Sequence, residues 1–194
     1  TLARHRCLPI SMCRSGRNTG HSKPVVCNSN DHTYRTIKGC IQLGSIPDLD
    51  FEWNLSPCDY ISKAIVYLSR QTESLGKAFH LRNPQPLRLS EMAKYIRSFG
   101  YPVELVSYDK WRAQLVHNPD SSDNALNPLI STFTEQDKIY TKNTDDHRQT
   151  SSPIQKYDCQ NTITGLANSS IACPPIDAKL FGIYISYLKQ TGVL

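Results

Sequence analysis

Apolar positions along this chain gather into short runs and helical stripes separated by polar, proline-rich and glycine-rich stretches. The first run, L-P-I-S-M-C at residues 8–13, follows a helix-like stub at residues 1–6 and leads into the polar turn R-S-G-R-N-T-G-H-S. A short apolar run of this kind predicts an interior strand of an α/β sheet. A helix is predicted over residues 31–40, with Tyr34, Ile37 and Ile41 on one side and with Gly39, Gly44 and Pro47 punctuating its end. The best-specified element comes next, over residues 57–69. Ser56 can cap it, Pro57 suits the first helical position, and Ile61, Ala64, Ile65 and Leu68 repeat at i, i+3, i+4 and i+7. Asp59, three residues after Ser56, reads as part of that N-terminal cap rather than as a group of a pocket wall.

A-F-H-L at residues 78–81 predicts a short strand, and N-P-Q-P at 83–86 an extended loop, because a residue before proline is pushed away from the helical region. His80, inside that strand, reads as a structural histidine, since nothing nucleophilic accompanies it in sequence. Ser90 and Glu91 open a helix carrying Met92, Tyr95, Ile96 and Phe99 that stops at Gly100; a strand at 103–106 and a helix capped by Ser107 and running through Trp111 and Leu115 follow. Residues 125–133 predict a short apolar helix interrupted by Pro128. Residues 141–153 form a polar linker of a length that suits a hinge or lid. In the last predicted helix Asp177 caps, Leu180, Phe181, Tyr184, Tyr187 and Leu188 form an apolar-aromatic face, and Gly192 ends it. Short strands alternating with helices place the chain in the α/β class.

Composition narrows the functions this class can serve. The 194 residues carry 22 Lys and Arg against 17 acids, a net +5, but the basic residues are scattered and lack the basic-aromatic stripe of a nucleic-acid groove. With 39% hydrophobic residues and a mean hydropathy of −0.45, no 18-residue apolar run exists, so no transmembrane helix is expected. No signal peptide is read at residues 1–6, which lack an apolar core. The seven cysteines form an odd set without C-x-x-C and read as small core hydrophobes of a reducing, cytoplasmic protein rather than a disulfide framework. The six histidines show no metal-ligand spacing, so no metal site is expected.

Ligands of α/β sheets bind beyond the carboxyl ends of the strands, which here means Arg14, Ser15, Gly16, Arg17, Gly20 and His21. Arg14 and Arg17 can each face a phosphate or carboxylate, and equally suit solvated or structurally paired positions. One strand is not a sheet, and taken alone it would leave both edges unpaired. The sequence holds no glycine-rich dinucleotide fingerprint. Its nearest approach to Y-x-x-x-K is Tyr34-Arg-Thr-Ile-Lys38, which lies after the site strand and reads as a coincidence on a surface helix.

Six runs taken together resemble one family: R-S-G-R-N-T-G-H-S (14–22), S-P-C-D-Y-I-S-K-A-I-V-Y-L-S-R-Q (56–71), F-H-L-R-N-P (79–84), I-R-S-F-G-Y-P (96–102), Q-K-Y-D-C-Q-N-T (155–162) and P-P-I-D-A-K-L (174–180). In this order, over almost the whole chain, they resemble the C-terminal portion of thioester reductase domains. These are extended short-chain dehydrogenase/reductases found at the ends of nonribosomal peptide and polyketide synthetases and in carboxylic acid reductases. The implied fold is the C-terminal part of an NAD(P)-binding Rossmann-like domain, mostly its mixed α/β substrate-binding subdomain, without the N-terminal dinucleotide-binding half. Residues 1–55 would hold the last site strand and its connection, and residues 56–194 the substrate-binding subdomain.

The resemblance implies NADPH-dependent reduction of a carrier-bound acyl or peptidyl thioester to an aldehyde or alcohol. A Thr/Ser, Tyr and Lys set stabilises the oxyanion in that chemistry, and no catalytic residue is carried over to this chain. Arg14, Ser15 and Gly16 would border the nicotinamide; Arg17, Gly20, His21 and Ser22 would open towards the substrate. The implied partners are a phosphopantetheine-bearing carrier domain and the dinucleotide-binding half. Ser15 stands where the family usually has proline, Asn18 where it has an apolar residue, and Cys58 where valine is more usual. The chain alone is expected neither to hold NADPH tightly nor to reduce a thioester. The other readings are a binding module for a carrier domain or acyl chain, and a truncated remnant.

Overall fold

Met12–Ser15 (β1) lies parallel to Ala78–Leu81 (β6), with Met12 opposite Ala78 and Ser15 opposite Leu81. This pairing belongs to a computed structural model that describes residues 9–23, 27–50, 52–117, 123–130 and 157–194. The strand starts later than residues 8–13 suggest and reaches Ser15. Pro9 has no amide hydrogen to contribute to a ladder, and the Ile10 carbonyl accepts the Gly76 N–H at 2.7 Å before β1 begins. The expectation of two unpaired edges is also corrected, since β6 covers one of them.

The chain divides into two compact units. The first takes residues 1–27, 54–86 and 156–183. Besides β1 and β6 it pairs Arg17–Thr19 (β2) parallel with Leu55–Pro57 (β5). The helix Cys58–Ser69 follows β5 directly, and Tyr60, Ile61, Ala64 and Leu68 on it close a core with Phe79, Leu81 and Leu166. Burying each large apolar side chain of that set contributes roughly 1.5–3 kcal/mol. Leu166 comes from the short helix Gln160–Leu166, whose Gly165 sits so tightly that a Cβ there would lie 2.7 Å from Leu68 Cδ2.

The second unit takes residues 28–53, 87–155 and 184–194. Its first helix, α1, is His32–Leu43, which runs three residues beyond the predicted end. The Asp31 carboxylate accepts the Thr33 N–H at 2.7 Å at one end, and Gly44 closes the other at φ 65°. Gly39, predicted to help end this helix, lies inside it and leaves room for Leu126: a Cβ would stand 2.4 Å from that residue's Cγ. Ser45–Pro47 (β3) pairs parallel with Glu104–Val106 (β8), and Glu52–Trp53 (β4) antiparallel with Leu87–Arg88 (β7). With Cys58–Ser69 as α2, the remaining helices here are Leu89–Ser98 (α3) and Tyr108–His117 (α4), which bury Met92, Ala93, Ile96, Trp111 and Leu115.

Gln160–Leu166 is α5, and α6, the last helix, is Ala178–Gln190, with residues 178–183 in the first unit and 184–190 in the second. The Asp177 carboxylate accepts the Leu180 N–H at 2.8 Å, as its predicted capping role requires. Of the predicted helix at 125–133 the described residues hold the 3-10 turn Asn127–Leu129 around Pro128, followed by Ile130 in α-helical conformation, and residues 131–133 lie outside the described residues. The 141–153 linker lies outside the described residues. The cysteines at 13, 27, 40, 58, 159 and 173 are free thiols, and Cys27 and Cys40 are buried. No helix among the described residues is long and apolar enough to cross a membrane.

Tyr34 is not on a surface. It is 1% exposed, with its ring edge-on to Tyr184 at 5.8 Å, so the Tyr34–Lys38 pair offers no exposed phenol to a substrate.

Candidate functional site

The residues marked out by sequence run from the end of β1 through β2 to the turn beyond it. Arg14 and Ser15 occupy the last two positions of β1, both exposed. The Gly16 N–H donates to Leu81 O at 3.3 Å and carries the pairing one step past the strand. A Cβ on Gly16 would come no closer than 3.4 Å, to Asn54 Oδ1, so the position is open enough for a larger residue.

Arg14 and His80 are register partners across β1 and β6. His80 Nδ1 lies 2.9 Å from the Asp158 carbonyl oxygen. A carbonyl can only accept, so the proton sits on Nδ1 and leaves Nε2 as the acceptor, 3.5 Å from Arg14 Nη1. Arg14 Nε also donates to Met12 Sδ at 3.1 Å. Neither partner is an anion, so neither neutralises the guanidinium. The Tyr157 ring leans on His80 at 5.3 Å and carries the Arg82 guanidinium 4.3 Å over its centre. His80 is thus held as a structural histidine would be. Its contact with Arg14, 66 residues away, had no signal in the sequence.

At the other end, Arg17 is exposed on β2 opposite Leu55, while Gly20 is buried and His21 and Ser22 are half-buried. This end is held by Asp59, in the first turn of α2. Its Oδ1 accepts the Ser22 N–H at 2.8 Å, and its Oδ2 accepts the Ser22 hydroxyl at 2.9 Å and Lys63 Nζ at 3.3 Å. The predicted cap is therefore corrected. The cap position of α2 is Pro57, which makes no side-chain capping bond, and Asp59 spends its oxygens on a turn 37 residues away. Ser56, also read as a cap, lies in β5, and its fully buried hydroxyl has no hydrogen-bond partner of ordinary geometry. Strand pairing with β2 draws Ser56 into the sheet and shifts the helix start by one residue.

Burial pushes the Asp59 carboxyl up, but the Ser22 amide, the Ser22 hydroxyl and Lys63 together outweigh it, with His21 adding to them whenever that ring is charged; the net shift is downward. Asp59 is an anion throughout the neutral range. Close by, burial pushes the Cys173 thiol up to about 12, with the Ser56 hydroxyl acting against it and the Asp59 charge with it. Burial likewise pushes the Tyr60 phenol up to about 12. Both stay protonated at neutral pH, so neither is an activated nucleophile or base. The stretch presents the positive charge of Arg14 and Arg17 and the polar side chains of His21 and Ser22, on a turn held by Asp59. Among the described residues no group of three or more His, Cys, Asp or Glu is placed to hold a metal ion.

Three further residues belong to this region and escaped the sequence reading. Asp59 was hidden by its resemblance to a capping residue, and Tyr157 and Arg82 by their distance from the site strand. Only the D-Y pair in the first turn of α2 and the aromatic at position 157 could have marked them.

Residues 1–65 match an NAD-binding family described as "Male sterility protein". One of the subunits that make up the linear gramicidin synthase of Brevibacillus parabrevis is 31% identical over the whole chain, which spans 4% of that protein. Among solved structures, the terminal R domain from the myxalamid PKS-NRPS biosynthetic pathway is 36% identical with a TM-score of 0.84, over 100% of this chain and 47% of that domain. A thiolation-reductase di-domain from an archaeal nonribosomal peptide synthetase shares the fold at a TM-score of 0.75 and 19% identity, over 99% of this chain and 38% of that one. The chain thus spans about half the length of the reductase domain it matches and a small part of the gramicidin synthase polypeptide.

Proposed function

Because this chain belongs to the thioester reductase domains, extended short-chain dehydrogenase/reductases, as their C-terminal portion, we propose that it forms the substrate-binding part of an NADPH-dependent reductase acting on a carrier-bound acyl or peptidyl thioester. A nicotinamide cofactor follows from the family; NADPH, when bound, would supply hydride to the thioester carbonyl, the C–S bond breaking and the pantetheine thiol leaving with a proton to give an aldehyde, or, after a second hydride and proton, an alcohol.

One observation carries the reading. Arg14, Ser15 and Gly16 lie at the carboxyl end of the parallel pair β1–β6, and Gly20, His21 and Ser22 follow the carboxyl end of the parallel pair β2–β5, the place where α/β sheets bind ligands. In this role Arg14, Ser15 and Gly16 border the nicotinamide, while Arg17, Gly20, His21 and Ser22 meet the thioester arm. Gly16 fits that placement, since a residue without a side chain lets a flat ring approach the backbone. The carrier domain is expected to be acidic around its phosphopantetheine, and a chain with net charge +5 draws it in by electrostatic steering.

These 194 residues have no counterpart of the Tyr and Lys that protonate and stabilise the oxyanion, so by themselves they bind substrate and do not reduce it. The test is to mix the purified chain with an acyl-pantetheine thioester and NADPH. Saturable thioester binding without NADPH oxidation, followed by absorbance, is the expected result. Turnover would overturn the division of labour proposed here, and failure to bind the thioester would overturn the substrate-binding role.

A further inference from the structure

We propose that Asp59 is a positioning residue for the substrate-side turn: it fixes Ser22 so that the neighbouring His21 is offered to a carbonyl of the bound thioester arm as a neutral Nε2–H donor. This rests on the reading that Gly20, His21 and Ser22 face the substrate.

The Asp59 side chain is only 9% exposed, and a carboxylate so far removed from water must be hydrogen-bonded. A carboxylate in the first turn of a helix would ordinarily face that helix's own free amides. Here three bonds satisfy it, two of them from Ser22 and the third from Lys63, one turn further along α2. Holding both the amide and the hydroxyl of one residue fixes that residue's backbone and side chain together. It is a rigid anchor for a turn with glycine at position 20.

His21 follows from that anchor. Its Nδ1 accepts the Lys23 N–H at 3.0 Å, and a nitrogen that accepts an amide hydrogen carries a lone pair, so the ring proton is on Nε2. Asp59 Oδ1 stands 3.9 Å from the same Nδ1, beyond hydrogen-bond reach, and does not compete for it. With 42% of its side chain exposed, the ring is available to a ligand. Its one donor matches an acceptor that is neutral and planar, which is what a thioester or pantetheine amide carbonyl presents.

Four variants of the 194-residue chain test this: Asp59→Asn, Asp59→Ala, His21→Ala and His21→Gln. The readouts are amide exchange at Ser22, the 15N shifts of the His21 ring, and affinity for an acyl-pantetheine thioester. Asp59→Asn keeps an acceptor for one Ser22 bond and loses the charge, so it should speed Ser22 exchange and weaken binding by about tenfold, the scale of a charge-assisted hydrogen bond. His21→Ala should weaken binding similarly, and His21→Gln, whose side-chain amide also donates, should restore most of it. If Asp59→Ala does not fold, Asp59→Asn and the two His21 variants decide the matter. Wild-type binding with unchanged affinity in Asp59→Asn and His21→Ala would overturn the inference. Absence of wild-type binding would instead overturn the substrate reading. In that case unchanged Ser22 exchange in Asp59→Asn, or a ring proton on Nδ1 of His21, would still overturn the positioning on its own.

Discussion

Asn83 and Leu55, 28 residues apart, are joined by a buried hydrogen bond of 2.9 Å from the Asn83 side-chain amide to the Leu55 carbonyl. The same amide nitrogen donates to Pro174 O at 3.1 Å, and Asn83 Oδ1 accepts the Gln85 N–H at 2.9 Å. One side chain therefore ties β5, which carries the chain into α2, to the loop after β6 and to the segment before α6. The site turn hangs on α2 through Asp59, so Asn83 stabilises the platform beneath it.

Asn83→Ala is expected to destabilise the chain by about 2 kcal/mol, because the Leu55 carbonyl of a buried hydrogen bond and the half-buried Pro174 carbonyl lose their donor at once, and an unsatisfied buried group costs about 1–3 kcal/mol. Urea denaturation followed by circular dichroism measures this; a shift below about 0.5 kcal/mol, the range of an ordinary surface substitution, would contradict it.

Gly39 and Gly44 separate two reasons for glycine in one helix. Gly39→Ala would place a Cβ 2.4 Å from Leu126 Cγ and 2.6 Å from Asn124 Oδ1, while Asn124 itself donates to Gly39 O at 3.1 Å. The turn at 124–127 must move, and a loss of about 1–3 kcal/mol is expected from overpacking. Gly44→Ala meets only Pro102 O at 3.9 Å but is held at φ 65°, so strain of roughly 1–2 kcal/mol is its whole cost. Thermal melts of the two variants, with exchange at the Leu126 amide raised in Gly39→Ala alone, distinguish the causes.

Stability should fall at both ends of the pH scale for different groups. Asp59 is held below its ordinary range, so its contribution is complete above the unfolded carboxyl value of about 4 and is lost as pH falls through the lower folded value. Asp59→Asn removes that acid limb. On the alkaline side the Cys40 and Cys173 thiols and the Tyr60 phenol are each pushed up to about 12, by burial first. Above about pH 8.5 the unfolded chain sheds thiol protons that the folded chain keeps, so stability declines from there towards 12. Urea midpoints from pH 3 to 11 should form a plateau between these limbs; a midpoint still rising above about pH 9 would contradict the assignment.

How far the sequence could be read depended on the range of the forces involved. The Asp177 cap and the stripe of Ile61, Ala64 and Leu68 are local and formed where capping chemistry and periodicity put them, whereas Ile65, read into the same stripe, is exposed. The strand at 78–81 was legible for the same reason. The strand β5 was not, because three residues ending in proline become a strand only through β2, 38 residues earlier in register. Asp59 is the clearest miss: at sequence range a carboxylate three residues after a serine is a cap, and only the fold brings Ser22 close enough to take both its oxygens. The stretch at 14–22 was marked as a candidate through its family resemblance, whereas the contacts that His80 and Asp59 make with it became visible only in three dimensions.

The substrate-binding role is tested most directly by titrating 15N-labelled chain with an acyl-pantetheine thioester and following every assigned amide. The account predicts saturable shifts concentrated at Gly16, Arg17, Gly20, His21 and Ser22, with the second unit's polar cleft around Arg35 and Lys38 unmoved. Saturable binding centred on that cleft, or no saturable shifts at Gly20, His21 and Ser22, would contradict it.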